Sequence, residues 1–514
     1  MNIGELLDKK ENIIYMKEKY LDYNYYLNNK SNIIRNILLK REIRKVNKEF
    51  INKNIIREIK FNDVVLDNDQ KEAIYTDEIN TLVLAGAGSG KTTTIIGKIK
   101  YLIEEKNIKE NEILCISFTN DSVNDLKDRI IYNIDIFTFH KLALEIIHDY
   151  NKAITVVGDY LEYIINEMFL SIISNIDEKT LKYFNNTISS FINIFKNYNY
   201  DYSYFDTLIK HNKDKILELI KKVYLIYEDE LRSSNYLDFN DIINYSIKLI
   251  TNKGLKRYYK YIIIDEFQDI SENRFLLIDI IRKSCNSKVF SVGDDYQSIY
   301  KFAGSNINMI TNFKKYFGYT RIIKINNTYR NSNELIKVAS DFILKNRHQI
   351  RKNLISNKHN NKPIKIIYYY NNEVVKLKKL LYDMDKTLIL VRNNYNISNI
   401  CDEEFIIDKD NITYNNKIYN YKTIHKSKGL EEENVIILGL ENSIYGFPNK
   451  RRNSINNLLL PKDKYLYEEE RRLFYVALTR TKNNVYLFVS KEKPSIFVKE
   501  ILRKNKKYIE VLDL

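Results

Sequence analysis

The segment that most constrains this chain is residues 82–94, LVLAGAGSGKTTT, an apolar run followed by a glycine-rich turn and Lys91-Thr92. Its glycines at positions 86, 88 and 90 would let backbone N–H groups point at phosphate oxygens, with help from the dipole of a following helix. The lysine can reach the β- and γ-phosphates, and the threonine hydroxyl can ligate Mg²⁺. Ala85 stands where the strict phosphate-loop pattern has glycine, so a chance glycine-rich turn remains the alternative to a nucleotide site.

A second apolar run, residues 261–271, YIIIDEFQDIS, ends in adjacent carboxylates. Asp265 and Glu266 fall where a predicted strand meets a loop, and ligands gather at the carboxyl ends of parallel strands. One carboxylate can hold the Mg²⁺ of a nucleotide while the next polarises water. A solvated Asp-Glu pair is the alternative, which the phosphate loop makes the weaker interpretation.

Composition indicates a large enzyme with a polyanionic partner. The 514 residues are 44% hydrophobic, and Lys plus Arg number 82 against 67 for Asp plus Glu. This excess favours nucleic acid as the partner, although AT-rich coding would also give many Lys, Asn, Ile and Tyr residues. The start of the chain lacks the apolar stretch of a secretion signal, and no uncharged apolar run approaches the ~18 residues of a membrane span. We therefore expect an intracellular, nucleoid-associated protein without a membrane partner.

The order of predicted strands and helices divides the chain into two α/β units. Residues 1–60 are predicted to be a basic helical lead-in that docks on the core; an arm that contacts DNA or a partner is the alternative. Strands then alternate with helices in the order of a parallel sheet, until a helical block interrupts them. We predict a first α/β domain of residues 61–148 and 236–322, a helical insertion of residues 149–235, and a second α/β domain of residues 323–514.

A series of segments carries a family resemblance. They are Leu66–Ile74, Gly86–Thr92, Phe118–Asn120, Thr138–His140, Asp265–Asp269, Gly293–Ser305, Thr328–Arg330, Thr423–Glu431 and Glu469–Arg480. Together they resemble the motif series of superfamily 1A UvrD/Rep-like DNA helicases, and within that family the helicase IV branch. The resemblance covers nearly all of residues 61–495. It implies the P-loop NTPase fold class: α/β, with two RecA-like parallel-sheet domains and a helical insertion, called 1B, in the first.

The resemblance also bears on an insertion in the second domain. Residues 393–422 leave little room between two motifs where UvrD and Rep carry a large regulatory subdomain, called 2B. We therefore expect the 2B-type insertion to be absent. In those relatives the subdomain restrains unwinding, so activity here would be limited by something else.

A nucleotide site between the two domains follows from the resemblance. Gln70 would recognise the adenine edge, Tyr329 would stack on it, and Glu431 would bind the ribose. The implied ATP-binding residues are Gln70, Ala85, Gly86, Ala87, Gly88, Ser89, Gly90, Lys91, Thr92, Thr93, Tyr329 and Glu431. The implied catalytic residues are Lys91, Asp265, Glu266, Gln297, Arg330 and Arg480, and the implied Mg²⁺ ligands are Thr92 and Asp265.

The implied roles of the catalytic residues follow the chemistry of phosphoryl transfer. Glu266 would orient the attacking water, and Gln297 would sense the γ-phosphate. Arg330 and Arg480 would reach the phosphates from the second domain. From their spacing alone, these two arginines would be ordinary surface ion pairs.

Single-stranded DNA would lie along residues that follow the predicted β-strands. The implied DNA-binding residues are Phe118, Thr119, Asn120, Thr138, Phe139, His140, Tyr300, Phe302 and His425. The chain has no Trp, so base stacking must use Tyr or Phe. Without the resemblance, core packing would be the better interpretation of these aromatics. Many UvrD-like enzymes have Trp and Arg where this chain has Phe302 and Ala303, which puts a full stacking wedge there in doubt.

The resemblance implies an ATP-dependent 3′→5′ DNA helicase or translocase that acts in DNA repair, recombination or replication. The expected cofactors are ATP and Mg²⁺, the expected partners are single-stranded and duplex DNA, and a monomer or weak oligomer is the expected state. One alternative is a translocase that displaces proteins with little unwinding. Another is a nucleotide-switched motor subunit that a protein partner, such as a nuclease, controls.

Overall fold

Two helices and a short ladder precede the first large sheet. The computed structural model describes residues 19–30, 33–58, 60–61, 64–150, 154–172, 176–393, 402, 404–450 and 455–514. The first elements are α1 (Tyr23–Asn29), α2 (Ile33–Ile55) and the antiparallel strands β1 (Lys60–Phe61) and β2 (Val64–Val65). Phe50 of α2 is buried edge-on against Tyr75, so the helix packs on the core. Residues 1–18 of the predicted lead-in lie outside the described residues.

Strands and helices then alternate, as the sequence predicts. In chain order they are α3 (Asn68–Tyr75), β3 (Asn80–Ala85), α4 (Lys91–Glu104), β4 (Ile113–Ser117), α5 (Asn120–Arg129), β5 (Asp135–Thr138) and α6 (Phe139–Asp149). Polar N-caps fix three of the helix starts, because Asp67, Thr119 and Thr138 each accept a hydrogen bond from a first-turn N–H group.

A helical block follows, with its own apolar core. Its elements are β6 (Thr155–Val156), α7 (Tyr160–Ile172), α8 (Glu178–Asn197), α9 (Tyr204–Asn212), α10 (Lys215–Ser233) and β7 (Tyr236–Leu237). Phe195 stacks on Phe205 with ring centroids 4.3 Å apart, and both rings are fully buried. The sequence did not predict the short parallel pair of β6 and β7, because strands of two residues leave no periodic signal.

The first sheet is completed after this insertion. The elements are α11 (Phe239–Lys253), β8 (Tyr261–Ile264), α12 (Glu272–Cys285), β9 (Lys288–Gly293), α13 (Asn308–Thr311), α14 (Phe313–Phe317) and β10 (Arg321–Ile325). All six strands are parallel, in the order β10-β3-β9-β8-β4-β5. The predicted domain boundary between residues 322 and 323 is wrong, because β10 pairs with β3 as far as Ile325 opposite Ala85.

The remaining residues build a second sheet. Its elements are α15 (Asn333–Ile343), β11 (Ile364–Tyr369), α16 (Glu373–Tyr382), β12 (Thr387–Val391), β13 (Ile406–Asp408), β14 (Asn411–Tyr414), β15 (Lys417–Thr423), β16 (Glu432–Leu440), α17 (Glu468–Leu478), β17 (Thr481–Ser490), α18 (Ile496–Asn505) and β18 (Ile509–Leu512). The strand order is β13-β14-β15-β12-β16-β17-β11-β18, antiparallel only between β13, β14 and β15. The predicted α/β class with two parallel-sheet units is confirmed.

A segment of the second half of the chain docks into the helical insertion. Residues 455–460, here called the strap, place Leu459 in the apolar core of α7–α10, where its side chain is 2% exposed. The hydroxyl of Tyr200 donates to the Leu459 carbonyl at 3.1 Å, and Asn456 Nδ2 donates to Ser190 Oγ at 2.7 Å. The insertion therefore contacts both halves of the chain. Among the described helices, none reaches the length and apolar character that a membrane span requires.

Candidate functional site

The glycine-rich turn joins β3 to α4 and has its carbonyl groups occupied. Three hydrogen bonds occupy them. Thr328 Oγ1 donates to the Ala87 carbonyl at 2.7 Å, the Tyr329 N–H donates to the Gly88 carbonyl at 2.9 Å, and Gln70 Nε2 donates to the Ser89 carbonyl at 3.1 Å. Within the described residues, nothing accepts a hydrogen bond from the N–H groups of Ala87, Gly88 or Gly90. Positive φ angles of 69° at Gly88 and 75° at Gly90 make this turn possible. The loop thus keeps donors available for an anion.

The other predicted residues of the loop lie at its two ends. Ala85 is the last residue of β3, and Gly86 follows it. Lys91, Thr92 and Thr93 form the first turn of α4, where the helix has unpaired N–H groups. This is the arrangement that binds phosphate at a helix N-terminus.

Two predicted base-binding residues flank the loop. Gln70 is buried in the first turn of α3, where its side chain also completes a capping box with Asp67. The Tyr329 ring is 48% exposed, and its hydroxyl donates to Asp67 Oδ2 at 2.8 Å. The structure therefore brings together an amide edge and an open aromatic face beside the loop.

The two adjacent carboxylates follow β8 and face the lysine of the loop. Glu266 Oε1 lies 3.3 Å from Lys91 Nζ, and its other oxygen lies 3.6 Å from Lys428 Nζ. Burial would raise the pKa of Glu266, but these two lysines outweigh it and hold the carboxyl ionised. Burial and the charge of Glu266 raise the pKa of Asp265, which is nearly inaccessible to solvent. Asp265 would therefore gain from a nearby cation.

The second sheet supplies positive charge to the same cleft. Arg480, which immediately precedes β17, is buried and donates from Nη2 to Gln297 Oε1 at 3.0 Å. Burial, reinforced by Arg330, lowers the pKa of Arg480 to about 9. Arg330 donates from Nε to Glu431 Oε2 at 2.6 Å, and Lys482 is also 3.3 Å from that carboxylate. Glu431, the predicted ribose ligand, is therefore committed to two cations in this arrangement.

Behind Gln297 lies a buried ion cluster that the sequence did not reveal. Lys352 Nζ is 2.5 Å from one oxygen each of Asp294 and Asp295, and all three side chains are fully buried. The same ammonium lies 3.6 Å from the centroid of the Tyr296 ring. The second oxygen of Asp294 accepts from Gln297 Nε2 at 2.7 Å. Lys352 thereby fixes the orientation of the residue that meets Arg480.

An aromatic row crosses from the first sheet to the second. Phe118, after β4, stacks on Tyr300 with centroids 5.7 Å apart and planes 10° from parallel. Phe302 is 52% exposed and lies edge-on to His425, which follows β15, at 5.1 Å. Tyr300 donates from its hydroxyl to the His425 carbonyl at 3.1 Å. These four rings, with Arg274 4.7 Å above Phe118, form a surface that a strand of bases can stack on.

The remaining predicted DNA-facing residues divide into two groups. Thr119 and Asn120 are exposed at the start of α5, close in sequence to Phe118. Thr138 is the N-cap of α6, and burial with Arg274 lowers the pKa of the adjacent His140 to about 4. Phe139 departs from the expectation. Phe139 lies on the inner face of α6, in the core of the first sheet domain, where it is 3% exposed. Its ring therefore does not face the proposed path of DNA.

Family comparisons agree with this geometry in both halves of the chain. The family model of the UvrD/REP helicase N-terminal domain matches residues 66–318, and that of the UvrD-like helicase C-terminal domain matches residues 408–492. The chain belongs to the UvrD/Rep helicase family. The resemblance inferred from the sequence motifs is therefore confirmed.

Several named proteins are similar to this UvrD/Rep family member. DNA helicase IV of Escherichia coli (strain K12) is 29% identical over 482 residues, which cover 84% of this chain and 69% of that protein. ATP-dependent DNA helicase Rep of Buchnera aphidicola subsp. Acyrthosiphon pisum is 33% identical over 68% of this chain and 57% of its own length. ATP-dependent DNA helicase PcrA of Leuconostoc citreum is 30% identical over 59% of this chain and 42% of its own length. The chain thus spans little more than half, or less, of two of these relatives.

Three residues of the site in this UvrD/Rep family member were missed from its sequence. Lys428 contacts Asp269 and lies 3.6 Å from Glu266, Lys352 holds Asp294 and Asp295, and Arg274 covers Phe118. Lys428 had a usable signal, since it lies in the same segment as His425. Lys352 and Arg274 had none, because their partners are distant in the sequence.

Proposed function

We propose that the chain is an ATP-dependent 3′→5′ DNA helicase that moves along single-stranded DNA and unwinds duplex. The observation that carries the proposal is the double bridging of the two sheets. On one side, Arg480 reaches Gln297 beside the phosphate loop. On the other, His425 meets Tyr300 and Phe302 in the aromatic row. Movement between the sheets would therefore change the nucleotide site and the strand site together.

Hydrolysis is assigned to the residues around Glu266. Lys91 pairs with Glu266 at 3.3 Å and can transfer to phosphate oxygens, which would leave Glu266 free to orient the attacking water. Arg330 and Arg480 would neutralise charge that develops on the transferring phosphoryl group. In related phosphoryl-transfer sites such an arginine contributes ~10³–10⁵ in rate. Gln297 would report phosphate occupancy through its hydrogen bond with Arg480.

We assign Mg²⁺ to Thr92 and Asp265. Among the described residues, no group of three or more His, Cys, Asp or Glu side chains could hold a metal by itself. A single carboxylate with a hydroxyl nevertheless suits Mg²⁺, which keeps several waters and takes further oxygens from a substrate phosphate. Burial and the charge of Glu266 raise the pKa of Asp265, and a bound cation would favour its ionised form. When bound, the ion would neutralise phosphate charge.

The strand site is assigned to Phe118, Tyr300, Phe302 and His425. Stacking on such rings is tolerant of sequence and is worth ~1–3 kcal/mol per base. The excess of Lys and Arg over Asp and Glu would add phosphate contacts that weaken with salt. We expect the protein at the nucleoid, where this substrate is found. The division into the domains predicted from the sequence remains a proposal apart from the corrected boundary.

Steady-state ATP hydrolysis tests the proposal, with no nucleic acid, single-stranded DNA, blunt duplex or RNA present. Lys91→Ala serves as the inactive blank, and Glu266→Gln should bind ATP but hardly hydrolyse it. Stimulation by single-stranded DNA, with displacement of a strand from a 3′-tailed but not a 5′-tailed duplex, supports the helicase. Equal rates under all four conditions would contradict it. Stimulation without strand displacement would favour a translocase or the motor subunit of a partner complex.

A further inference from the structure

A cavity of about 830 Å³ lies between α2 and the first sheet. Its floor includes Tyr319–Ile322, at the amino end of β10, and Glu78, just before β3. The phosphate loop follows the carboxyl end of β3, so the two sites lie at opposite ends of this strand. Six residues of strand span roughly 20 Å. The cavity, here called the α2 cavity, is therefore separate from the nucleotide cleft.

The acidic residues that line the α2 cavity are already neutralised or hydrogen-bonded. Asp22 is 2.8 Å from Lys288, and Glu72 is 2.9 Å from Arg321. Glu78 is buried and accepts the N–H groups of Tyr23 at 2.7 Å and Ile79 at 2.9 Å. None of these carboxylates is committed to the cations on α2.

Four cations line the same cavity. Lys40, Arg44 and Lys48 are spaced four residues apart on α2, which places them on one face about 6 Å apart along the axis. Lys314 approaches from the short helix before β10. No carboxylate of the described residues lies within ion-pair distance of these four side chains. Within the part of the chain that the structure describes, the cavity therefore offers a row of positive charge without carboxylate partners.

Flat aromatic faces accompany this charge. Tyr23 stacks on Tyr319 with centroids 4.1 Å apart and planes 9° from parallel, and Tyr26 stacks on Tyr23 at 5.5 Å. Lys40 Nζ lies 4.8 Å from the Tyr26 centroid. Tyr319 keeps 52% of its surface exposed. Aromatic faces for stacking and nearby cations are the two features that bind single-stranded nucleic acid without regard to sequence.

We propose that the α2 cavity is a second binding site for single-stranded nucleic acid, distinct from the aromatic row. Lys40, Arg44, Lys48 and Lys314 contact backbone phosphates, and the face of Tyr319 opposite Tyr23 receives a base. A strand long enough to reach both sites is held at two points, which raises its overall affinity through effective concentration. A short strand occupies the aromatic row without this help.

A charge-reversal pair of variants tests the site. The first carries Lys40→Glu, Arg44→Glu and Lys48→Glu. The matched control carries Arg41→Glu, Lys45→Glu and Lys53→Glu, which make the same charge change on the same helix at positions that do not line the cavity. Fluorescence anisotropy measures binding of strands of about 10 and about 40 nucleotides over a salt series.

The cavity variant should bind the long strand at least about tenfold more weakly than the control. Its dependence of log affinity on log salt should fall by about 2, since each lost phosphate contact removes ~0.7 for a single strand. Stimulation of ATP hydrolysis by the short strand should stay within about twofold of the unmodified protein, because it reports the aromatic row. Equal losses in both triple variants, or no loss in either, would overturn the proposal.

Tyr319→Ala provides a second variant whose exposed position spares the core. It should weaken long-strand binding by about 5- to 100-fold through lost stacking. Unchanged binding in Tyr319→Ala contradicts the base contact and, with it, the proposed site. Anisotropy also separates this proposal from the helicase assignment, because it measures strand binding at the α2 cavity even if DNA does not stimulate ATP hydrolysis.

Discussion

Replacement of Lys352 by methionine should destabilise the protein more than removal of any surface ion pair. The ammonium of Lys352 is the common partner of Asp294 and Asp295, 2.5 Å from each, and none of the three side chains reaches solvent. Lys352→Met keeps most of the side-chain volume and removes only the charge. Two buried carboxylates then lose their counterion.

The expected loss in free energy of unfolding is about 3–5 kcal/mol, the range found when one partner of a buried ion pair is removed. For a domain of this size, that lowers the thermal unfolding midpoint by on the order of 10 °C. Lys365→Met is the matched control, since Lys365 pairs with Glu510 near the surface at 2.5 Å. That pair should contribute only ~0–1 kcal/mol.

The pH dependence of this loss gives the sharper result. Burial already raises the pKa of Asp295, and removal of Lys352 raises it further because the lowering charge is gone. A carboxyl whose pKa is higher in the folded than in the unfolded state gains stability as pH falls through the folded pKa. The deficit of Lys352→Met should therefore shrink as the pH is lowered into the acid range, as circular dichroism melting can measure. A deficit equal to that of Lys365→Met, or one that grows in acid, would refute the reasoning.

Three further outcomes are expected. Gln70→Ala should raise the KM for ATP about tenfold more than that for GTP, as the loss of one base-reading hydrogen bond predicts; equal effects on both nucleotides would argue against an adenine contact. Phe302→Ala should weaken binding of a short single strand by about 5- to 100-fold while DNA-independent hydrolysis persists, which anisotropy and a rate measurement can check together. Burial lowers the pKa of His425 to about 3 and of His140 to about 4, so both rings stay neutral and strand affinity should not rise between about pH 8 and about pH 6; tighter binding at the lower pH would be the contrary result.

Local patterns predicted much of this fold. The apolar runs that end at Ala85 and Asp265 became strands of one parallel sheet, and the turn after the first became a loop whose N–H groups are not all paired within the described residues. Such features depend on neighbours in sequence, so a single chain reveals them. The aromatic row required the family resemblance, because nothing in the spacing of Phe118 and His425 shows that they meet.

Long-range partnerships escaped the sequence. Lys352 follows α15 by several residues and finds its carboxylates across the fold, where burial decides the pairing. Phe139 misled for the opposite reason. The Thr-Phe-His segment after β5 reads as a strand end, but Thr138 caps a helix there and turns Phe139 inward. Because α6 begins at this cap, the helical periodicity places the Phe139 side chain on the face toward the core.

Opening of the cleft between the two sheets would require the strap to leave its hydrophobic pocket in the helical insertion. Residues 461–467 join the strap to α17 of the second half of the chain, so any opening that exceeds their slack must withdraw Leu459 from α7–α10. Exposing a buried leucine costs about 1.5–3 kcal/mol. The two halves of the chain thus carry a bias toward closure that does not depend on nucleotide. One leucine of the strap, more than 300 residues after the phosphate loop, therefore helps to hold the cleft closed.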